Sequence, residues 1–146
     1  MNILIINGPN INRLGSRQPD IYGTENYQAL EACIHAHAKK EGLRCTIHQT
    51  NFEGIIIDLL HHAESHPFQG VLLNAGALTH YSYAIYDAIL SIDIPVVEVH
   101  LSDPDNREET FRKQNVIRAA CQATFKGHGF KSYLAALDYL KKEVIL

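Results

Sequence analysis

What most limits how this chain can fold is an alternation along its whole length. Short, unbroken apolar runs are separated by longer segments whose apolar residues recur at helical spacing. Strands that are apolar on both faces are buried on both, and the layout that does this is a parallel sheet covered by helices on either side. Five runs fit strands, at residues 3–7, 43–48, 70–74, 95–99 and 120–125; in the last, Cys121, Ala123 and Phe125 alternate with Gln122 and Thr124. Segments 26–40, 54–65, 79–91 and 131–143 fit helices, with Leu134, Leu137 and Leu140 marking the stripe of the final one. Crossovers between parallel strands are right-handed, so the expected architecture is α/β: a flavodoxin-like, doubly wound, five-stranded parallel sheet in one domain over residues 1–146.

At 146 residues such a domain buries enough surface to need neither disulfides nor a structural metal. Cys33, Cys45 and Cys121 are odd in number, widely spaced and set in apolar segments, so they read as reduced core thiols. The first residues carry no basic region ahead of a long apolar stretch, and no segment approaches the roughly 20 apolar residues that span a bilayer. A cytoplasmic protein with no membrane partner is therefore expected. The net charge of −3 provides no basic field for a phosphate backbone, so no nucleic-acid partner is expected either.

In a doubly wound sheet, ligands bind beyond the carboxyl ends of the strands. The residues leaving those ends are Asn7 and Asn10, Asn51 and Glu53, Asn74 and Gly76, and Glu98 and His100. Amides and backbone N–H groups suit a small molecule with hydroxyls and a carbonyl, although each Asn or Gly is equally at home as a turn residue. Two connections exceed an ordinary βα loop, at residues 8–25 and 101–114. The first carries Arg13, Arg17, Tyr22 and Tyr27 among glycines and a proline, the makings of a lid. A guanidinium near a phenol favours the phenolate, so Arg17 could bring Tyr22 down from about 10 toward a working base; the plain alternative is a surface aromatic beside a solvated arginine. His100 leaves a buried strand with Glu98 two residues back on the same pleat face, where the carboxylate would orient the imidazole and favour its charged form. With Thr79 as N-cap of the third helix, His80 and Asp87 would share a helix face, and the helix start could attract a carboxylate.

Competing motifs are weak. His62 and His66 lie four apart but lack a third ligand nearby, and no zinc, serine-hydrolase, dinucleotide or P-loop signature occurs. Gly127-His128-Gly129 is the nearest glycine-rich stretch. Asn7 and Asn74 stand where a phospho-accepting domain of this architecture would need Asp.

Three blocks, in order, resemble type II 3-dehydroquinate dehydratase. They are Asn7-Gly8-Pro9-Asn10-Ile11-Asn12 with Leu14-Gly15, Arg17, Pro19 and Tyr22-Gly23; Leu73-Asn74-Ala75-Gly76-Ala77-Leu78-Thr79-His80 with Asp87; and Ile94-Pro95-Val96-Val97-Glu98-Val99-His100-Leu101-Ser102. The resemblance implies reversible loss of water from 3-dehydroquinate to give 3-dehydroshikimate, in the shikimate pathway of aromatic amino acid biosynthesis or in quinate breakdown. It implies no metal and no organic cofactor. It implies Tyr22 as the base for a C2 proton, Arg17 as its activator and Asn10 orienting a water at the enolate. His100 would protonate the departing C1 hydroxyl with Glu98 behind it. Asn74, Gly76, His80, Asp87, the Leu101-Ser102 backbone and Arg112 would hold the substrate. It also implies a homo-oligomer of trimers packed into a dodecamer. The sequence departs from the family pattern at Arg107-Glu108-Glu109-Thr110-Phe111-Arg112, one residue longer than usual, and at Lys113-Gln114-Asn115 and Arg118-Ala119. Readings from other classes are a flavodoxin-like module binding a flavin or small metabolite in the same crevice, and an assembly subunit without turnover.

Overall fold

The structure, a computed structural model, describes residues 1–16 and 25–145. Among these, β1 (Asn2–Asn7), β2 (Arg44–Gln49), β3 (Gly70–Asn74), β4 (Val96–Val99) and β5 (Ala123–Phe125) form one sheet. Its order is β2-β1-β3-β4-β5 with every pairing parallel, as the alternation of apolar runs requires. The helices are α1 (Tyr27–Glu41), α2 (Glu53–Ser65), α3 (Tyr83–Leu90) and α4 (Phe130–Ile145). None is long and apolar enough to cross a membrane.

The pleat of β1 sorts the core into two halves. Ile3 and Ile5 pack with Leu30 and Ile34 of α1 and Leu137 and Leu140 of α4, while Leu4 and Ile6 pack with Ile56 and Leu60 of α2 and Ile85 of α3. Each of these side chains is fully buried, worth roughly 1.5–3 kcal/mol apiece against exposure. The edge strand β2 alternates exposed and half-buried positions. Caps set the ends of α1: Asn26 accepts from the Ala29 amide at 2.8 Å, and Gly42 closes the helix in the left-handed region at φ 72°.

Two elements differ from the sequence reading. The helix expected at 79–91 is a 3₁₀ turn, Gly76–His80, followed by α3. Its cap is Ser82, whose Oγ accepts from the Ile85 amide at 3.0 Å and donates to Glu53 Oε2 at 2.5 Å; Thr79, a capping residue three positions earlier, is buried in the turn instead. The last strand, expected from 120, begins at Ala123 because Arg118–Ala120 form a 3₁₀ turn. Asn115 Oδ1 creates that turn by accepting from the amides of Ile117 and Arg118 at 3.1 and 2.9 Å.

Candidate active site

Register brings the strand ends together: Asn7 pairs with Asn74 across β1 and β3, and Leu73 with Glu98 across β3 and β4. The exits of β1 and β3 then run in close contact. A Cβ on Gly8 would lie 2.8 Å from the Ala75 carbonyl oxygen, and one on Gly76, at φ 59°, would lie 2.9 Å from that of Pro9. Gly8 also donates its amide to Asn74 O at 2.7 Å. Beneath them the hydroxyl of fully buried Tyr133 donates to Asn7 Oδ1 at 2.6 Å and accepts from Asn74 Nδ2 at 2.9 Å. Asn74 Oδ1 takes the Gly76 amide at 3.2 Å, so its side chain is largely spent inside the protein. Asn10 holds a left-handed backbone, φ 70°, and donates its amide to Asn51 Oδ1 at 3.0 Å.

The β4 exit is built from charge. Glu98 is fully buried and its Oε2 meets Nε2 of His100 at 2.6 Å, and His100 lines the cavity. Burial pushes the Glu98 carboxyl up, but His100, Asn115 and Thr124 all hydrogen-bond its charged form and hold it at about 2, so it remains a carboxylate. His100 donates its own amide to Phe125 O at 2.9 Å, which ties the exit to β5. The next two residues are clamped by the stretch at 127–129: Gly129 N reaches Leu101 O at 2.9 Å and Gly127 N reaches Ser102 O at 3.1 Å.

Between these exits lies a cavity of about 160 Å³ at the carboxyl ends of β1, β3 and β4. Asn10, Asn74, Gly76, His80, His100, Leu101 and Ser102 line it from the strand ends. Arg107, Phe111 and Arg112 line it from the second long loop. His80 Nδ1 meets Gln114 O at 2.7 Å, which makes Nδ1 the protonated nitrogen and Nε2 an acceptor. Burial lowers the His80 pKa, with Arg112, His100 and Arg107 adding to the effect against the Gln114 bond, so the ring stays neutral. Arg112 stacks 4.8 Å from the centre of the Phe111 ring and pairs with Glu109 at 3.1 Å. The site thus offers an imidazole backed by a carboxylate, a neutral imidazole acceptor, amides, and guanidinium groups suited to a carboxylate ligand.

A family model described as Dehydroquinase class II matches residues 1–141. The chain belongs to this family. It is 49% identical over 143 residues to the 3-dehydroquinate dehydratase of Caldicellulosiruptor saccharolyticus, covering 98% of this chain and 97% of that one. It is 48% identical over 138 residues to the enzyme of the same name from Bacillus licheniformis, covering 94% of each. Among solved structures, the type II dehydroquinase of Butyrivibrio crossotus superposes with a TM-score of 0.94 at 43% identity, covering 97% of both chains.

For a class II dehydroquinase, the structure gathers eight of the expected site residues on one cavity: Asn10, Asn74, Gly76, His80, His100, Leu101, Ser102 and Arg112. Glu98 stands behind His100 as its spacing implied. Asp87 is not gathered: it is exposed on the outer side of α3, because the 3₁₀ turn breaks the helical phase that would have aligned it with His80. Arg17 and Tyr22 lie outside the described residues. Tyr27, the other tyrosine of the first loop, opens α1 with its hydroxyl accepting from Asn7 Nδ2 at 3.3 Å, and burial raises its pKa. Sequence reasoning missed Arg107 and Phe111, which the length of their loop could have suggested. It also missed Asn115, Arg118 and Thr124 around Glu98, for which a buried acid in an apolar strand was the available signal. Away from the cavity, His37, Glu41 and Asp138 bring potential metal ligands within 4.8 Å of one another, but His37 is paired with Asp138 at 2.7 Å and Glu41 with Lys141 at 2.9 Å. The His62 and His66 rings stack with centres 3.6 Å apart.

Proposed function

We propose that residues 1–146 act as one catalytic domain that eliminates water from 3-dehydroquinate to give 3-dehydroshikimate, the dehydratase step of the shikimate pathway. The observation that carries this reading is the buried Glu98 carboxylate 2.6 Å from a His100 imidazole that faces the cavity. The C2 proton of the substrate is acidified by the neighbouring C3 ketone, so a protein base suffices to remove it and neither a metal nor an organic cofactor is required. Tyr22, activated as a phenolate by Arg17 as the family resemblance implies, takes that proton and leaves an enolate, and a water oriented by Asn10 stabilises its oxygen. As the enolate re-forms the ketone, the C1–O bond breaks and His100 delivers the proton that makes the hydroxyl depart as water. Arg112 and Arg107 are suited to the substrate carboxylate, and neutral His80, with the Ser102 segment, to its hydroxyls.

Phe52, Ile55, Tyr81 and Tyr83 are exposed around the starts of α2 and α3, an apolar surface that supports assembly of copies into the trimers and dodecamer of the family resemblance. The three free thiols, with Cys45 and Cys121 pushed by burial up to about 11 and about 12, support a reducing compartment such as the cytoplasm.

The test is the ultraviolet absorbance of the conjugated enone product formed from 3-dehydroquinate, with chelator present and with a borohydride-treated sample alongside. Turnover is expected to survive both treatments, and Tyr22→Phe to lose about 10³-fold in kcat while still binding substrate. Absence of turnover in the native chain overturns the dehydratase reading, and near-native turnover in Tyr22→Phe overturns the base.

A further inference from the structure

Glu98 is held by more than the orientation of one imidazole needs. Its Oε2 takes His100 Nε2 at 2.6 Å and Asn115 Nδ2 at 2.5 Å; its Oε1 takes Thr124 Oγ1 at 2.8 Å and Arg118 Nε at 3.2 Å. Arg118 is about one-third exposed, and its Nη1 also reaches Asp105 Oδ2 at 3.3 Å. Asp105 is steadied in turn by Lys126 Nζ at 2.7 Å, which also bonds Asp103 at 2.7 Å. Thr124 and Asn115 anchor the carboxylate without changing its charge. Arg118 offsets that charge: among the described residues its guanidinium and the His100 ring are the two groups paired with Glu98.

A carboxylate shared between two cations stabilises each less than it would stabilise either alone. An imidazolium facing the whole charge of Glu98 would hold its proton tightly and be a poor donor to a leaving hydroxyl. One facing a carboxylate partly neutralised from behind gives the proton up more readily. We propose that Arg118 is a positioning residue for the elimination: bound to the Glu98 oxygen turned away from His100, it fixes that carboxylate, shares its charge, and so sets how readily the His100 imidazolium delivers its proton. This rests on the reading of His100 as the proton donor. The departure from the family pattern at Arg118-Ala119 then has a consequence at the reacting centre.

Other groups around the pair act in defined directions. On the turn after β3, neutral His80 adds no charge. On the second long loop, Arg107 and Arg112 line the same cavity as His80 and His100 and stay unchanged in every variant compared below, while Lys126 beyond β5 bonds both Asp103 and Asp105. The Cys121 thiol, pushed by burial to about 12, is neutral. Arg118 is therefore the group through which a change of charge behind Glu98 is felt at His100.

The test compares the native full chain with Arg118→Ala, Arg118→Lys and Asp105→Asn. The imidazole of His100 is titrated by NMR in the free protein, its resonance assigned by its loss in His100→Asn. Arg118→Ala should raise the His100 midpoint by about one pH unit, and Arg118→Lys should return most of the shift, since it keeps the charge. Asp105→Asn, which removes a competitor for the guanidinium and keeps Arg118 in place if the alanine variant fails to fold, should move the midpoint the other way. In turnover, the alkaline limb of kcat/KM should follow the same displacement. The kcat of Arg118→Ala should fall about tenfold with KM changed less than twofold, as expected for a weaker acid in an unaltered binding site. An unmoved His100 midpoint in folded Arg118→Ala, or in Asp105→Asn, overturns the proposal, as do equal shifts in the alanine and lysine variants. Absence of turnover in the native chain overturns the dehydratase reading alone, because the NMR titration still decides the role of Arg118.

Discussion

The two sides of the cavity are held by different forces. The exits of β1 and β3 are joined by neutral contacts: paired glycines that let one backbone touch the other, and the Tyr133 hydroxyl bridging Asn7 and Asn74. The exit of β4 is held by charge, through Glu98 against His100 and Arg118 and on to Asp105 and Lys126. Neutral hydrogen bonds and close packing do not titrate, so the first side keeps its shape at any working pH and can fix where a substrate lies. The second side is built from groups whose mutual attraction depends on charge, so a substitution that adds or removes a charge there is felt by its neighbours. With His100 as the proposed proton donor, the charged wall should govern the acid step and the neutral wall should act as a fixed frame beside it, so substitutions on the two should separate accordingly.

The largest effect should come from Glu98→Ala. Removing one partner from a buried charged network leaves the others uncompensated, so a loss of about 3–5 kcal/mol in unfolding free energy is expected near neutral pH, at fixed protein concentration. The dependence on pH has a definite sign. The Glu98 pKa falls from 4.5 in the unfolded chain to about 2 in the folded one, so its stabilisation is fully present above about pH 4.5 and is lost as pH falls toward 2. Urea titrations of native and variant chains from pH 7 to pH 2.5 should therefore converge as pH drops. A constant gap would mean that the charged wall does not stabilise through charge.

Gly76→Ala probes the neutral wall and should come next. The new methyl would meet the Pro9 carbonyl at 2.9 Å on a backbone already at φ 59°, and strain with overpacking should cost about 2–4 kcal/mol with little dependence on pH. Gly54→Ala is its control: nothing lies within 4 Å of that position in the first turn of α2, so about 0.5 kcal/mol of stabilisation is expected. Equal effects at the two glycines would remove the close approach of the β1 and β3 exits as the basis of the neutral wall.

The two walls were also unequally legible in the sequence. The strand exits could be read because period and crossover rules fix the sheet order, and the order brings residues 7, 74 and 98 together whatever the loops do. The Glu98–His100 pair could be read because two residues on one strand share a face. The shared helix face expected for His80 and Asp87 does not form because Thr79 and Ser82 are both good caps, and the choice between them is made by Glu53, which reaches Ser82 from another helix. Asn115 and Arg118 were illegible as partners of Glu98 because the turn that carries them back is organised by the Asn115 side chain itself and has no period to detect. Tyr133 reads as one more apolar position on α4, and only its depth beneath two strand ends gives the hydroxyl its role.

That hydroxyl offers the finest test of the comparison. Tyr133→Phe keeps the ring in the core and deletes only the bridge, leaving Asn7 Oδ1 without its donor and Asn74 Nδ2 without its acceptor at two buried side chains. The cost of such unmet groups is about 1–3 kcal/mol, smaller than for Glu98 because no charge is stranded. If the neutral wall fixes position, Asn74 gains freedom beside the cavity, so KM for the substrate should rise severalfold while the alkaline limb of kcat/KM stays where it was. A shifted limb with unchanged KM would mean that the Asn7–Tyr133–Asn74 bridge is coupled to the proton donor, and the separation of position from reactivity between the two walls would fail.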